Sequence, residues 1–430
     1  MADHQIAVLI FDTNLRAKMR LLVSLTVLLI LFAVVPAVQA QTYQVLYNFS
    51  GGADETYSWG ALTIDQSGHL YGTTAGPSGC TAGCGTVYKF SHEGSGWVFS
   101  TLYAFRGGQD GTVPYAPVTI AADGSLYGTT AFGGVLDGCL GNGCGTVYHL
   151  QPPASFCHSV SCPWNETVVY RFQNCSNLWE PQDGVAVDQA GNIYGAPTYG
   201  GLGCQDDGFG DGGVFELTPS QGGWNYQAIH LFSSNPDGET PLGTVMVDQA
   251  GNIFGTTTIG GATGDGVVYE VSPSGSGWNE SIVHSFDGSD GRDSWAGLIS
   301  DSAGNLYGTT VYGGSNNSGV VFELSPSNGS YTYSVLYNFS GGSGSLSPLS
   351  MDTAGNLYGV KYTGGANDLG LIFKLTPGSG GWTFTDLHDF SGNDGSYPVG
   401  SSALDADGNL YGTTEDGGAY GYGVIWEVTP

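Results

Sequence analysis

Two tryptophans, a tyrosine and a crowd of carboxylates are the residues of this 430-residue chain with the chemistry to make a site. Trp59, Tyr115, Gln182, Leu242, Trp295, Leu346 and Val399 share one offset, each twelve residues ahead of the aromatic of a repeated motif. Acids cluster in the same segments: Asp54, Glu55, Asp110, Glu180, Asp183, Asp237, Glu239, Asp287, Asp290, Asp293 and Asp394. Aromatic faces beside hydrogen-bonding groups suit sugars, which stack through their C–H faces and bond through their hydroxyls. The candidate ligand-binding set is therefore Trp59, Tyr115, Gln182, Asp183, Trp295 and Glu239, with a polysaccharide or cell-surface glycan as the expected partner. An enzyme is the alternative: a glycoside hydrolase or polysaccharide lyase would draw on Glu180, Asp183, Asp287, Asp290 and Asp293, and a retaining hydrolase needs two carboxyls roughly 5 Å apart. A docking scaffold that binds other proteins by its rim is the third reading. No "GxSxG", "HExxH" or "GxxxxGK" stretch points to other chemistry.

The motif that sets the offset is "GNLYGTT" and its near-copies, with aromatics at Tyr71, Tyr127, Tyr194, Phe254, Tyr307, Tyr358 and Tyr411. Each unit of 51 to 67 residues carries four short runs of aromatic and β-branched residues separated by Gly, Asp, Ser and Pro. That is the pattern of a propeller blade. Asp-x-x-Gly-Asn links the first two strands, where the Asp accepts backbone hydrogen bonds and the Gly takes a positive φ. "DADGN" at Asp405 also resembles the start of a calcium loop, but such loops need several alternating acids and the other copies carry only the first. No cofactor is expected, with calcium as the alternative. Trp97, Trp164, Trp224, Trp278 and Trp382 each stand eight residues before a Phe, an even spacing that puts both rings on one strand face, between blades.

The seventh unit stops after its third strand at Pro430, whereas residues 42–49, "TYQVLYNF", stand before the first unit as an orphan fourth strand. Pairing the two closes the ring and leaves no unpaired edge at the seam. The expectation is one all-β domain, residues 41–430: a seven-bladed β-propeller, four antiparallel strands per blade, its N-terminal strand completing the last blade, and a chain complete as given. In such a ring the shared-offset residues face the central channel, and the small residues that follow six of them (Gly60, Ala116, Gly243, Ala296, Ser347, Gly400) fit the convergence on the axis; Asp183 breaks that rule.

The unit "GNLYGTT…GG…GVVFELSP…GW…LYNFSGG" resembles the tandem repeat called GloVer over nearly all of residues 42–430. The resemblance implies a secreted bacterial repeat protein; GloVer proteins carry varied surface anchors at their carboxyl ends, and none follows the last unit here. It implies no established activity.

The first 40 residues read as an export signal: Arg16, Lys18 and Arg20, an apolar run from Leu21 to Val35, then "AVQA" ending at Ala40. Met19 is an alternative start. The run is shorter than the roughly 20 residues of a membrane span. Removing the segment takes three of nine basic and two of 38 acidic residues, leaving a net charge of −30. Such a field repels nucleic acid and anionic membranes, and the 12% aromatic content argues for a folded, monomeric acidic protein rather than a disordered one. Eight cysteines lie between Cys80 and Cys204, and in an exported chain they read as disulfides: Cys80 with Cys84, Cys139 with Cys144, Cys157 with Cys162 and Cys175 with Cys204, although the loops could exchange partners. No His stands at zinc-ligand spacing within those loops. His230, His284 and His388 occupy a fourth-strand position held elsewhere by Tyr47, Tyr103, Tyr170 and Tyr337, so they read as structural, and His149 reads as a solvated side chain.

Overall fold

Alternation drives the strands. In the fourth strand of blade 5, Ser330–Asn338, Tyr331 and Tyr333 turn inward while Thr332 and Ser334 face water, the period of two that a half-buried strand requires. The third strand, Val320–Ser327, begins with a fully apolar run because it is covered on both faces. The computed structural model describes residues 41–429 except 53–57, 77–79, 81–82, 95, 137–138, 154–162, 174–176 and 205–207. The expected export signal lies outside the described residues, as do Cys157, Cys162, Cys175, Asp54 and Glu55.

Residues Tyr43–Thr429 form a single unit of seven antiparallel four-stranded sheets. The last sheet runs in the order Thr42–Asn48, Val424–Thr429, Leu410–Asp416, Ser396–Leu404, so the N-terminal strand does complete the seventh blade. Phe49 N–H donates to Gly423 O at 3.1 Å, and Asn48 Oδ1 accepts from Ala419 N–H at 2.7 Å. Two additions depart from the simple repeat. Leu178–Trp179 pairs with Tyr199–Gly200 as a small extra sheet in blade 3, and Glu239–Pro241 joins the second strand of blade 4.

The motif's letters now have separate jobs. Its Asp-x-x-Gly-Asn turn is held by the Asp carboxylate: Asp301 accepts from Ala303 N–H at 2.9 Å, Asn305 N–H at 3.0 Å and Tyr307 Oη at 3.2 Å, with Gly304 at φ +83°. Asp405 is used in the same way, by Asp407 N–H, Asn409 N–H and Tyr411 Oη. The Gly after the aromatic makes room for a third-strand ring: a Cβ at Gly255 would stand 2.3 Å from Tyr269 Oη, and one at Gly412 would stand 2.2 Å from Trp426 Cζ2. In five blades the following Thr makes a tie to the next blade near the axis: Thr73 Oγ1 donates to Ala116 O, Thr129 to Asp183 O, Thr256 to Ala296 O, Thr309 to Ser347 O and Thr413 to Ser58 O, whereas Ala196 and Val360 hold the place in blades 3 and 6.

Half-buried tryptophans pack between blades as the spacing implies. Trp97 meets Tyr411 edge-on at 5.8 Å, Trp278 meets Tyr194 at 6.1 Å and Trp382 meets Tyr307 at 6.4 Å. A second contact runs round all seven seams nearer the rim, joining the Tyr or His of one fourth strand to the residue six before the closing Phe of the next. Five are ring stacks: Tyr47 on Phe99, Tyr170 on Tyr226, His284 on Tyr333, Tyr337 on Phe384 and His388 on Tyr43. In the other two the second residue is Glu166 or Glu280. His149 is not solvated: it is half-buried and stacked on Tyr127 at 4.3 Å, because the third-strand side chain lies flat over the motif aromatic.

Candidate functional site

Each blade delivers its shared-offset residue on the segment that enters the first, innermost strand. All seven, Trp59, Tyr115, Gln182, Leu242, Trp295, Leu346 and Val399, line one central cavity of about 810 Å³. Ring convergence explains this: equivalent positions on blades arranged about an axis are brought to that axis together. Trp59 and Tyr115 meet edge-to-face at 5.9 Å, and Trp295 leaves 41% of its surface exposed. Apolar walls from Leu62, Ile64, Val118 and Ile120 continue along the first strands of blades 1 and 2.

Two acids reach this lining, Glu180 and Asp183, and they differ in what they are free to do. Asp183 accepts from Thr244 Oγ1 at 2.6 Å and from Gly184 N–H at 2.9 Å; burial raises its pKa while these donors oppose the rise. Its place in the fold is structural. Blade 3 spells the motif "GNIYGAP", so Ala196 stands where the bridging Thr would be, and the Asp183–Thr244 pair supplies the blade 3 to blade 4 link instead. The exception to the small-residue rule is thereby explained.

Glu180 is 9% exposed, and burial pushes its carboxyl up to about 7 against the hydrogen bond that Gln182 Nε2 donates to Oε1 at 2.7 Å. Its backbone is held from both sides: its N–H donates to Cys144 O at 3.0 Å and its carbonyl accepts from Thr198 N–H at 3.2 Å. At φ +55°, unusual for a residue with a side chain, these bonds keep a strained conformation that fixes where the carboxyl sits. Cys144 is itself bridged to Cys139, and Cys80 to Cys84, with Cα separations of 5.2 and 5.5 Å. Cys204 is also disulfide-bonded, while the Cys175 expected as its partner lies outside the described residues.

The remaining acids of the candidate set stand elsewhere, which corrects the sequence expectation. Glu239 sits in a strand paired with Ile259. Asp287 caps a turn by accepting from Ser289 N–H and Asp290 N–H. Asp290 accepts from His284 Nε2 at 2.8 Å, and Asp293 takes a positive φ of 54° with burial raising its pKa. Asp110, Asp237 and Asp394 pair in the same manner with Tyr103, His230 and His388. For Asp110, Asp237, Asp287, Asp290 and Asp394 the reason is the route of the connecting loop, which starts at the outer strand and ends at the inner one, so acids early in it stay near the rim. Asp293 holds in blade 5 the place of Glu180 in blade 3, two residues before the shared-offset position, yet it is not among the lining residues. Among lining residues that the offset rule missed is Phe132, which enters from a loop between second and third strands; its signal is a second repeat offset, five residues after the motif aromatic and just before Gly-Gly, where Tyr199, Ile259, Tyr312, Thr363 and Asp416 stand in other blades.

Solved structures show the same fold at low identity. The extracellular domain of a protein of B. thetaiotaomicron described as a hybrid two component system matches with TM-score 0.52 at 13% identity, covering 90% of this chain and 39% of that one. A second structure from that organism, an extracellular domain described as belonging to a one component system, matches with TM-score 0.51 at 13% identity over 89% and 39%. A protein of Bacteroides uniformis described as a 6-phosphogluconolactonase matches more loosely, with TM-score 0.48 at 16% identity over 80% and 89%. These likenesses speak to the fold alone. No curated protein matches the chain. No helix among the described residues is long and apolar enough to cross a membrane. The model of the Gloeobacter/Verrucomicrobia repeat matches residues 30–201, 138–351 and 332–430 in tandem, so the motif, the blade and the ring described above are those of that repeat, and the chain belongs to the Gloeobacter/Verrucomicrobia repeat family.

Proposed function

We propose that the chain is an exported, non-catalytic binding protein that holds a neutral carbohydrate unit in its central cavity. One observation carries the proposal: aromatic faces from three blades line a single cavity of about 810 Å³ that also holds polar groups able to bond a hydroxyl, among them Glu180, Gln182 and the unpartnered hydroxyl of Ser347. A protonated Glu180 both donates and accepts, so it suits a hydroxyl better than an anion or a bare cation. Export rests on the N-terminal pattern of residues 1–40 and on disulfides, which persist in oxidising compartments.

The test is retention of the purified mature protein on a panel of plant and microbial polysaccharides. The Trp59→Ala, Trp295→Ala double variant should lose at least tenfold in affinity, the loss of two stacked rings, while keeping its melting temperature within a few degrees. Unchanged retention by a folded variant would rule the cavity out as the site. Hydrolase or lyase chemistry is the second reading, favoured by the raised carboxyl of Glu180, a general-acid property. It would have to work without Asp183, whose carboxylate is held by Thr244 Oγ1 and by the backbone N–H groups of Gly184, Gly243 and Thr244, and the same panel scored for product release decides it.

A further inference from the structure

We propose that the seam between blades 3 and 4 is a divalent transition-metal site, with His230 Nε2, a carboxylate oxygen of Asp237 and Oε1 of Glu280 as its ligands. The ligand atoms available on these three residues lie within 4.8 Å of one another. An ion bound at about 2.0–2.2 Å places neighbouring donor atoms about 3.0–3.5 Å apart, so closing the set draws its furthest pair together by about 1 Å, within the reach of a side-chain rotation. His230 Nε2 already stands 3.2 Å from both Asp237 oxygens. Of those two, Oδ2 also accepts from Ser233 N–H at 3.0 Å, which leaves Oδ1 for an ion.

Sister seams act as internal controls. In the two other His seams a tyrosine covers the imidazole: Tyr333 stacks on His284 at 3.9 Å and donates to Asp290 O at 2.6 Å, and Tyr43 stacks on His388 at 3.6 Å and donates to Asp394 O at 2.6 Å. There the imidazole makes one short bond to one Asp oxygen, at 2.8 and 3.0 Å, and the seam is complete without a further group. Glu280 takes the place of that tyrosine, and its Oε1 is buried with no hydrogen-bond partner. Glu166 is the other replacement, but Tyr103 rather than a histidine faces it, and Arg106 and Arg171 stand close enough to offset its charge. Among the described residues, burial and the charge of Asp237 disfavour the ionised Glu280 carboxyl, and His230 is the cation-forming side chain that opposes them. A buried carboxylate needs a positive partner, and at this seam a metal ion supplies it. One imidazole with two carboxylates suits zinc or manganese, while calcium takes an all-oxygen shell.

The experiment uses untagged mature protein stripped with a chelator, dialysed against ZnCl2, MnCl2 or CaCl2, and read for bound metal and for melting temperature. The wild type should take up one equivalent of zinc or manganese and melt several degrees higher with it. Glu280→Tyr, which rebuilds the seam in the image of His284 and Tyr333, should take up less than a tenth of an equivalent and lose the metal-dependent shift, while its metal-free form melts no lower than the wild type. Glu166→Tyr should leave uptake unchanged. If Glu280→Tyr does not fold, Glu280→Gln is read by the same two measurements. No stoichiometric uptake by the wild type, uptake of calcium alone, or a full equivalent on a folded Glu280 variant would overturn the site.

Discussion

The axis and the seams of this ring are built from the same seven units, yet they obey different rules. At the seams the same chemistry returns blade after blade: an Asp-capped turn, a Gly that admits a third-strand ring, a Thr hydroxyl on the next blade's carbonyl, a stacked pair near the rim. At the axis the seven equivalent positions hold Trp, Tyr, Gln, Leu, Trp, Leu and Val. Every seam must close for a ring to form, so a departure there, as at Ala196 or Glu280, acts on the packing of two blades at once. The axis is a cavity, where a change of side chain disturbs no neighbouring sheet. Departures from the repeat are therefore informative in opposite ways. On the axis they are permitted and can build a ligand site; at a seam, as with Glu280, a departure calls for a compensating partner.

That contrast can be broken most forcefully at a seam glycine. Gly255→Ala places a methyl against the fully buried Tyr269, so it should cost about 3 kcal/mol in denaturant unfolding, whereas Leu242→Ala at the axis should cost less than about half of that. Equal losses would show that the axis is packed as tightly as the seams.

A second, smaller effect separates the two regions by pH. Asp65, Asp301 and Asp352, the turn carboxylates, are held below the ordinary value because backbone and side-chain donors outweigh their burial. Their contribution is complete above the unfolded value near 3.8 and is lost as pH falls further. Glu180 works the other way. Its folded value of about 7 lies above the ordinary 4.5, so its contribution is complete below 4.5 and is lost as pH rises through 7. Unfolding free energy should therefore peak between about pH 4 and 5.5 and decline toward pH 8 by on the order of 2 kcal/mol, read as a falling melting temperature. Glu180→Gln should shrink the alkaline limb by about half, the rest belonging to Glu166, whose seam carboxyl burial also pushes up to about 7, and Asp301→Ala should lower stability above pH 4 without flattening that limb. A Glu180→Gln protein with an unaltered alkaline limb would remove the buried axis carboxyl from the account.

The smallest effect tests how far seam positions are interchangeable. Tyr269 Oη is buried without a partner, and blades 5 and 6 carry Phe322 and Phe373 at the same place. Tyr269→Phe should be neutral or stabilising by up to about 1 kcal/mol, since an unsatisfied hydroxyl is removed. A clear loss would mean that the hydroxyl bonds something in solution.

How far the site could be read from sequence differs residue by residue. The offset of twelve from each motif aromatic placed Trp59, Tyr115 and Trp295 together because equivalent positions in a closed ring share a radius. The same logic failed for Asp287 and Asp290, since nothing in the spelling of a connecting loop states how far along its path from rim to axis each residue falls. Asp183 was recognisable as an exception but not as the stand-in for a missing Thr, because its partner Thr244 belongs to the next blade. Glu280 gave no local signal at all; only against His230, fifty residues earlier and one blade away, does it become notable.

The amino-acid sequence by itself determined the strand count, the turns, the blade number and the closing role of residues 42–49, because these depend on alternation, turn chemistry and edge pairing, all of which act over a few residues or repeat many times. Tertiary structure alone decided which acids are buried at the axis, which are spent on turns and histidines, and which meet across a seam. Those outcomes depend on where two separately encoded loops or strands come to rest relative to one another, and burial, which raises the carboxyls of Glu180 and Glu166 alike, exists only once the ring has closed.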